Sequence, residues 1–375
     1  MNSQHNVLMQ CARDWRWMFM PLCIALLFSG CSGGLPAPQP LKDLHLSGVT
    51  QVPGITTIHP GVNLGKISAV VAYSAAGDLR TPHILFLLDG DLYDVKMDGS
   101  ALRRIPLTHP CISPSLSVTS DGKWLVCEDD EGDEISALTA QPSDGGRQIL
   151  PNEAGNRVGD PSWSPDGHRI ALVSHQGGGC SIALYATSSL YDHFELSAII
   201  PLPEFATRGG ASECSISDLS WSPDGTWIAL VVNGLHGDHP GPLLPAALYA
   251  LHIAPIAREI PALGSPAVTI ADASALLDLL GMTGVFAAPS WSRNASGWTI
   301  TYVDGIQQAI TSVDLVTGHQ TQVLHIDEGI LTTLSWAHDS SHLVFVQNSI
   351  PQCLECRAPM VPLPSHLYVY TSAGK

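Results

Sequence analysis

The chain has 375 residues, 45% of them hydrophobic and only 14% charged, with 34 acidic against 17 basic side chains and a formal net charge of −17. That length and apolar fraction suffice for a large core and exclude a disordered or collagen-like chain. The acidic balance excludes the basic patches that nucleic-acid binding requires.

In chain order, Arg13 and Arg16 precede an apolar run, Trp17–Phe28, too short for a bilayer span and of signal-peptide length. The run ends Leu26-Leu27-Phe28-Ser29-Gly30-Cys31, which resembles the lipobox of bacterial lipoproteins, with Phe28 where Leu is usual. That resemblance implies cleavage after Gly30 and lipidation of Cys31. Residues 1–30 are then a leader, 31–43 a lipidated Cys and Gly/Pro-rich tether, and 44–375 the folded domain. Several acyl chains on one residue exceed the marginal single-chain anchor. Losing Arg13, Arg16 and Asp14 with the leader moves the charge to −18. A mature surface of that sign argues against direct adhesion to anionic lipid, so the anchor is the expected membrane contact.

Beyond the tether one phrase recurs. The clearest copies are PSWSPDGHRIALVSH (161–175) and LSWSPDGTWIALVVN (219–233); SVTSDGKWLVCED, PSWSRNASGWTITYV and LSWAHDSSHLVFVQ are weaker, and a sixth begins at Ala72. Aligned on the Trp position they fall at Tyr73, Val118, Trp163, Trp221, Trp291 and Trp336, at intervals of 45, 45, 58, 70 and 45. A constant period with two expansions means one reused unit with loop insertions. Ser-Pro-Asp-Gly is turn chemistry, and the apolar run after it reads as a buried strand. Third strands follow at 91–97, 182–187, 247–253, 309–315 and 366–371, and fourth strands at 102–107, 195–202 and 321–326. Four short strands at this period predict an all-β fold: a six-bladed β-propeller of four-stranded antiparallel blades.

The W-S-P-D-G phrase and its strand resemble the WD40-like PD40 repeat of the TolB propeller family, over residues 66–375; related blades occur in prolyl oligopeptidase-type peptidases. TolB carries a further domain ahead of its propeller and the peptidases an α/β-hydrolase domain. Neither is expected in this sequence. The last copy ends after its third strand, so the fourth is expected from the N-terminus, within Leu44–His59, closing the ring. A seventh blade in the 70-residue interval is the alternative. Its second half instead reads as a helix, with Asp272 as N-cap, Ala273–Leu280 as body and Gly281 as stop.

Propeller topology sorts the loops onto two faces. Cys111, Cys127, Cys180, Cys214, Cys353 and Cys356 all map to the face of the second-to-third-strand and blade-to-blade loops. An exported chain favours disulfides, and the expected pairs are Cys111–Cys127, Cys180–Cys214 and Cys353–Cys356. The insertions Phe205–Ser215, Gly234–Pro245, Leu263–Val285 and Ser349–Pro364 are expected on the same face. So are the candidate binding residues Asp89, Asp91, Asp129, Asp130, Glu131 and Asp133. These oxygen-rich loops could take Ca²⁺, but their spacing is not that of an EF-hand, and no cofactor is predicted. His236, Asp238 and His239 form a polar loop without a third metal ligand in view, and Gly30–Gly34 matches G-x-S-x-G only inside the tether.

No catalytic set emerges. The expected function is an extracytoplasmic, membrane-anchored scaffold of the cell envelope that binds a protein or peptide, and not an enzyme. The alternatives are a propeller lactonase, lyase or carbohydrate-active hydrolase with a central site, and a purely structural envelope protein.

Overall fold

The computed structural model describes residues 49–52, 67–73, 82–107, 111, 116–120, 122–128, 135–139, 147–149, 157–176, 179–187, 193–202, 216–232, 246–253, 268–269, 276–279, 286–348 and 365–371. Their strands form six sheets. The chain enters through β1 (Val49–Gln51). The first sheet is β2 (Ile67–Tyr73), β3 (His83–Leu88), β4 (Asp91–Lys96) and β5 (Arg103–Ile105). The second is β6 (Leu116–Val118), β7 (Trp124–Glu128), β8 (Ile135–Thr139) and β9 (Arg147–Ile149). The third holds β10 (Arg157–Trp163), β11 (Arg169–Gln176), β12 (Gly179–Thr187), β13 (Phe194–Pro201) and, out of order, β17 (Val268–Thr269). The fourth is β14 (Ile216–Trp221), β15 (Trp227–Val232), β16 (Ala247–His252) and β18 (Leu276–Asp278). The fifth is β19 (Phe286–Arg293), β20 (Trp298–Asp304), β21 (Ala309–Asp314) and β22 (Gln320–His325). The sixth is β23 (Ile330–Trp336), β24 (His342–Asn348), β25 (Ser365–Thr371) and β1.

Within each sheet the strands run up and down. Their first strands touch in succession: β2 to β6, β10, β14, β19, β23 and back to β2. This innermost ring makes the fold an all-β propeller. β1 lies antiparallel against β25, with Val49 opposite Tyr370 and Gln51 opposite Tyr368.

The repeat phrase builds each turn by the chemistry its residues carry. Ser164 Oγ donates to Asp166 Oδ1 (2.6 Å) and accepts from the Arg169 N–H (2.9 Å), while the His168 N–H donates to Asp166 (2.9 Å). Ser222, Asp224, Thr226 and Trp227 repeat the arrangement. Gly167 and Gly225 supply the left-handed residue, at φ 71° and 72°. The middle of the strand after each turn is buried; Leu343, Val344, Phe345 and Val346 are fully enclosed. Each such side chain contributes about 1.5–3 kcal/mol.

A second function of the phrase lies between sheets. The serine just before the Trp position accepts the backbone N–H of the next innermost strand. Trp163 donates to Ser117 Oγ (2.9 Å), Trp221 to Ser162 (3.3 Å) and Trp336 to Ser290 (2.9 Å). At the seam between last and first sheets, Ala72 donates to Ser335 Oγ (3.1 Å) and Ile67 to Ser365 Oγ (3.0 Å).

Two expectations are corrected. The Asp272–Leu280 helix is instead β18 at Leu276–Asp278, because its backbone pairs with Tyr249–Leu251 and completes the fourth sheet. The third sheet departs from four antiparallel strands, since β17 adds in parallel beside Ala198–Ile199. Among the described residues between β16 and β19, the 70-residue interval holds these two short strands and no further sheet.

Candidate functional site

Strand direction fixes the two faces. The Ser-Pro-Asp-Gly turns and third-to-fourth-strand links share one, called here the turn face. Second-to-third-strand hairpins and sheet-to-sheet links share the other, the loop face. On the loop face, Asp89 and Gly90 join β3 to β4 at φ 52° and 85°, the left-handed pair a tight hairpin requires. Asp89 is exposed, and Asp91 pairs with Arg104 at 2.5 Å. Cys111, on the link from β5, is bonded to Cys127 near the end of β7, with Cα atoms 5.7 Å apart. Both are buried against Ile105, Leu116 and Leu125. Cys180, at the loop-face start of β12, is also disulfide-bonded. Asp129, Asp130, Glu131, Asp133, Cys31, Cys214, Cys353 and Cys356 lie outside the described residues, as do His236, Asp238 and His239.

One insertion was misassigned. β16 ends at His252, opposite Trp227, which directly follows a turn-face loop. The link from β16 to β18, including the first part of Leu263–Val285, therefore leaves from the turn face. Sequence spacing cannot show which strand ends flank an insertion.

The innermost strands carry acids that motif reading passed over. Asp160 and Asp218 each sit three residues before a repeat Trp, at a bulge with φ 52°. The Asp160 N–H donates to Glu128 Oε1 at 2.9 Å, across the boundary between second and third sheets. Glu128 approaches so closely that a Cβ on Gly159 would lie 2.7 Å from it. The Asp218 carboxylate accepts the Ala288 N–H across the next-but-one boundary. Burial pushes the Asp218 carboxyl up to about 6, against the opposing pull of hydrogen bonds from Ser217 and the Ala288 N–H. The repeated Asp-x-x-Trp was visible in sequence, but its partners are non-local.

A different polar cluster ties the first sheet together near the turn face. Buried Asp94 accepts from Tyr73 Oη (3.1 Å) and Arg103 Nε (2.8 Å) and contacts His83 Nδ1 (2.9 Å). Burial first, then the Asp94 charge, holds the Tyr73 hydroxyl well above the usual phenol range. These four groups satisfy one another, which is a structural role. Among the described residues, no group of three or more His, Cys, Asp or Glu side chains is placed to hold a metal ion.

No protein-family model matches the chain, and no curated protein matches it. Solved structures similar to it include TolB from Acinetobacter baumannii, at 14% identity over 68% of this chain and 53% of that one, with a TM-score of 0.41. The chain thus spans about half the length of that TolB. The tricorn protease is similar at 12% identity over 82% of this chain and 30% of that one (TM-score 0.45). A nidogen/laminin complex is similar at 11% identity over 69% and 80% (TM-score 0.43).

Proposed function

We propose that the chain is a six-bladed propeller closed by its own N-terminal strand, anchored outside the cytoplasm by lipid on Cys31, that binds a protein or peptide partner with its loop face. Six sheets, the β1–β25 pairing and the Ser335–Ala72 hydrogen bond support closure. The observation that carries binding is the disulfide-pinned loop face: Cys111–Cys127 stiffens strand ends between the first and second sheets, and the bonded Cys180 does so in the third sheet. A covalently held surface on a rigid scaffold binds without an ordering cost. Residues 1–30, 31–43 and 44–375 serve as leader, tether and propeller.

The test is cross-linking of full-length protein in intact cells, comparing wild type, a Cys111→Ala/Cys127→Ala variant and an Asp89→Lys variant. A partner adduct that the loop-face changes reduce several-fold, while His338→Ala on the turn face leaves it intact, supports the reading. Absence of any specific adduct would overturn it. The enzyme reading draws on Asp218, an acid holding its proton to about pH 6 on an innermost strand. It requires turnover of a lactone or glycoside that Asp218→Asn abolishes.

A further inference from the structure

We infer that the turn face is the membrane-facing side of the propeller and that the loop face points away from the lipid. The inference rests on the anchor reading above and adds orientation to it. Two independent observations carry it.

The first is the direction of β1. β25 runs from Ser365, opposite Asn348 at the loop-face end of β24, to Thr371, opposite His342 just past a turn-face loop. β1 is antiparallel to β25, so Val49 lies toward the turn face and Val52, whose N–H donates to the Leu367 carbonyl, toward the loop face. The chain therefore enters the propeller from the turn side. Only 17 residues separate Cys31 from Val49. Fully extended they reach at most about 60 Å. A seven-residue strand such as β24 already measures about 23 Å from face to face. A tether of that reach lets the turn face rest on the bilayer. Presenting the loop face would require the same residues to run the full height of the domain first.

The second is charge. Among residues whose side chains are described, Lys96, Lys123, Arg169 and Arg293 lie at turn-face strand ends, and Arg103 in the turn half of β5. The acids of that face with described side chains are Asp94, Asp98, Asp166, Glu195, Asp224, Asp314 and Asp339, most of them capping their own turns while remaining charged. The loop face holds Asp89, Asp91, Glu128, Asp304, Asp327 and Glu328, with Arg104 the one Arg or Lys whose side chain is described there. An anionic headgroup surface therefore repels the loop face, with six acids to one base, more strongly than the turn face, with seven to five. Strand direction and charge thus choose the same side.

The experiment uses full-length lipidated protein in vesicles of three parts phosphatidylethanolamine to one part phosphatidylglycerol, carrying a nitroxide-headgroup lipid as quencher. A fluorophore is placed at His338→Cys on the turn face or Gln307→Cys on the loop face, both exposed. Quenching at 338 at least threefold greater than at 307 is expected. Equal quenching, or stronger quenching at 307, in protein that floats with the vesicles overturns the orientation alone. A Cys31→Ser chain that still floats overturns the anchor reading instead, since membrane association then has another source.

Discussion

The hydroxyl of Ser335 makes ring closure measurable. It accepts the Ala72 N–H at 3.1 Å across the seam, and Ala72 is 7% exposed, so water cannot replace it without opening the interface. Ser335→Ala leaves that N–H unsatisfied in a buried setting, which costs about 1–3 kcal/mol. In a domain of this size 1 kcal/mol moves the melting temperature by roughly 2 °C, so a fall of about 2–6 °C is expected. Ser290→Ala removes the equivalent bond to Trp336 at 2.9 Å between neighbours in sequence and should cost a similar amount. The two differ in what is released. Ser335→Ala should speed hydrogen exchange at Ala72 and along β1 and β25, because the seam opens first. Ser290→Ala should leave those amides unchanged. Calorimetry with the disulfides intact, combined with exchange mass spectrometry, measures both effects. A Ser335→Ala protein with wild-type melting temperature and unchanged Ala72 exchange would refute the idea that this hydroxyl holds the ring shut.

Two further outcomes follow from the coordinates. Gly122→Ala should destabilise by about 2–4 kcal/mol, since its Cβ would lie 2.2 Å from Tyr73 Cε2 at φ 69°, against a ring held by Asp94; Gly225→Ala, 3.5 Å from Pro165, should cost only about 1 kcal/mol, and equal losses in thermal unfolding would contradict the contact. Asp218 has a folded-state carboxyl raised to about 6, so its protonated form favours the fold and its stabilising effect is lost as pH rises from about 4 through 6; Asp218→Asn should match wild type below pH 4 and exceed it by roughly 1–3 kcal/mol above pH 6, and a pH-independent difference in urea unfolding would reject that assignment.

Much of this architecture could be read from residues because its signals are local. Ser164, Pro165, Asp166 and Gly167 specify a turn within five residues, and Ile170–Val173 specify a buried strand by composition alone. The third strands at Asp91, Ala247 and Ala309 start where the sequence places them. The misreading at Asp272–Leu280 has the opposite cause. Ala- and Leu-rich residues after an Asp favour helix locally, but β16 offered an unpaired edge, and Leu276–Asp278 satisfied it. Asp160, Asp218 and the stitching serines were present in the text of the repeat. Their meaning lies in partners 32 to 263 residues away, which no local rule reaches.

The serine contacts also explain why the first-to-second-strand turns are short. Each links an innermost strand at its Trp position to the next, so the register of the strand leading into the turn is fixed from outside as well as within. A longer turn would leave Ser164 or Ser222 without the N–H it accepts at the start of the following strand, and the first-to-second-strand turn is therefore held short. Sheet-to-sheet links bear no such constraint, because β10 and β14 are aligned by those inner contacts whatever joins their sheets. Lengthening them costs little entropy, about 0.6 kcal/mol for each doubling. Cys111–Cys127 adds stiffness to one such link covalently. A propeller stitched in this way needs short first-to-second-strand turns and leaves its sheet-to-sheet links free to lengthen.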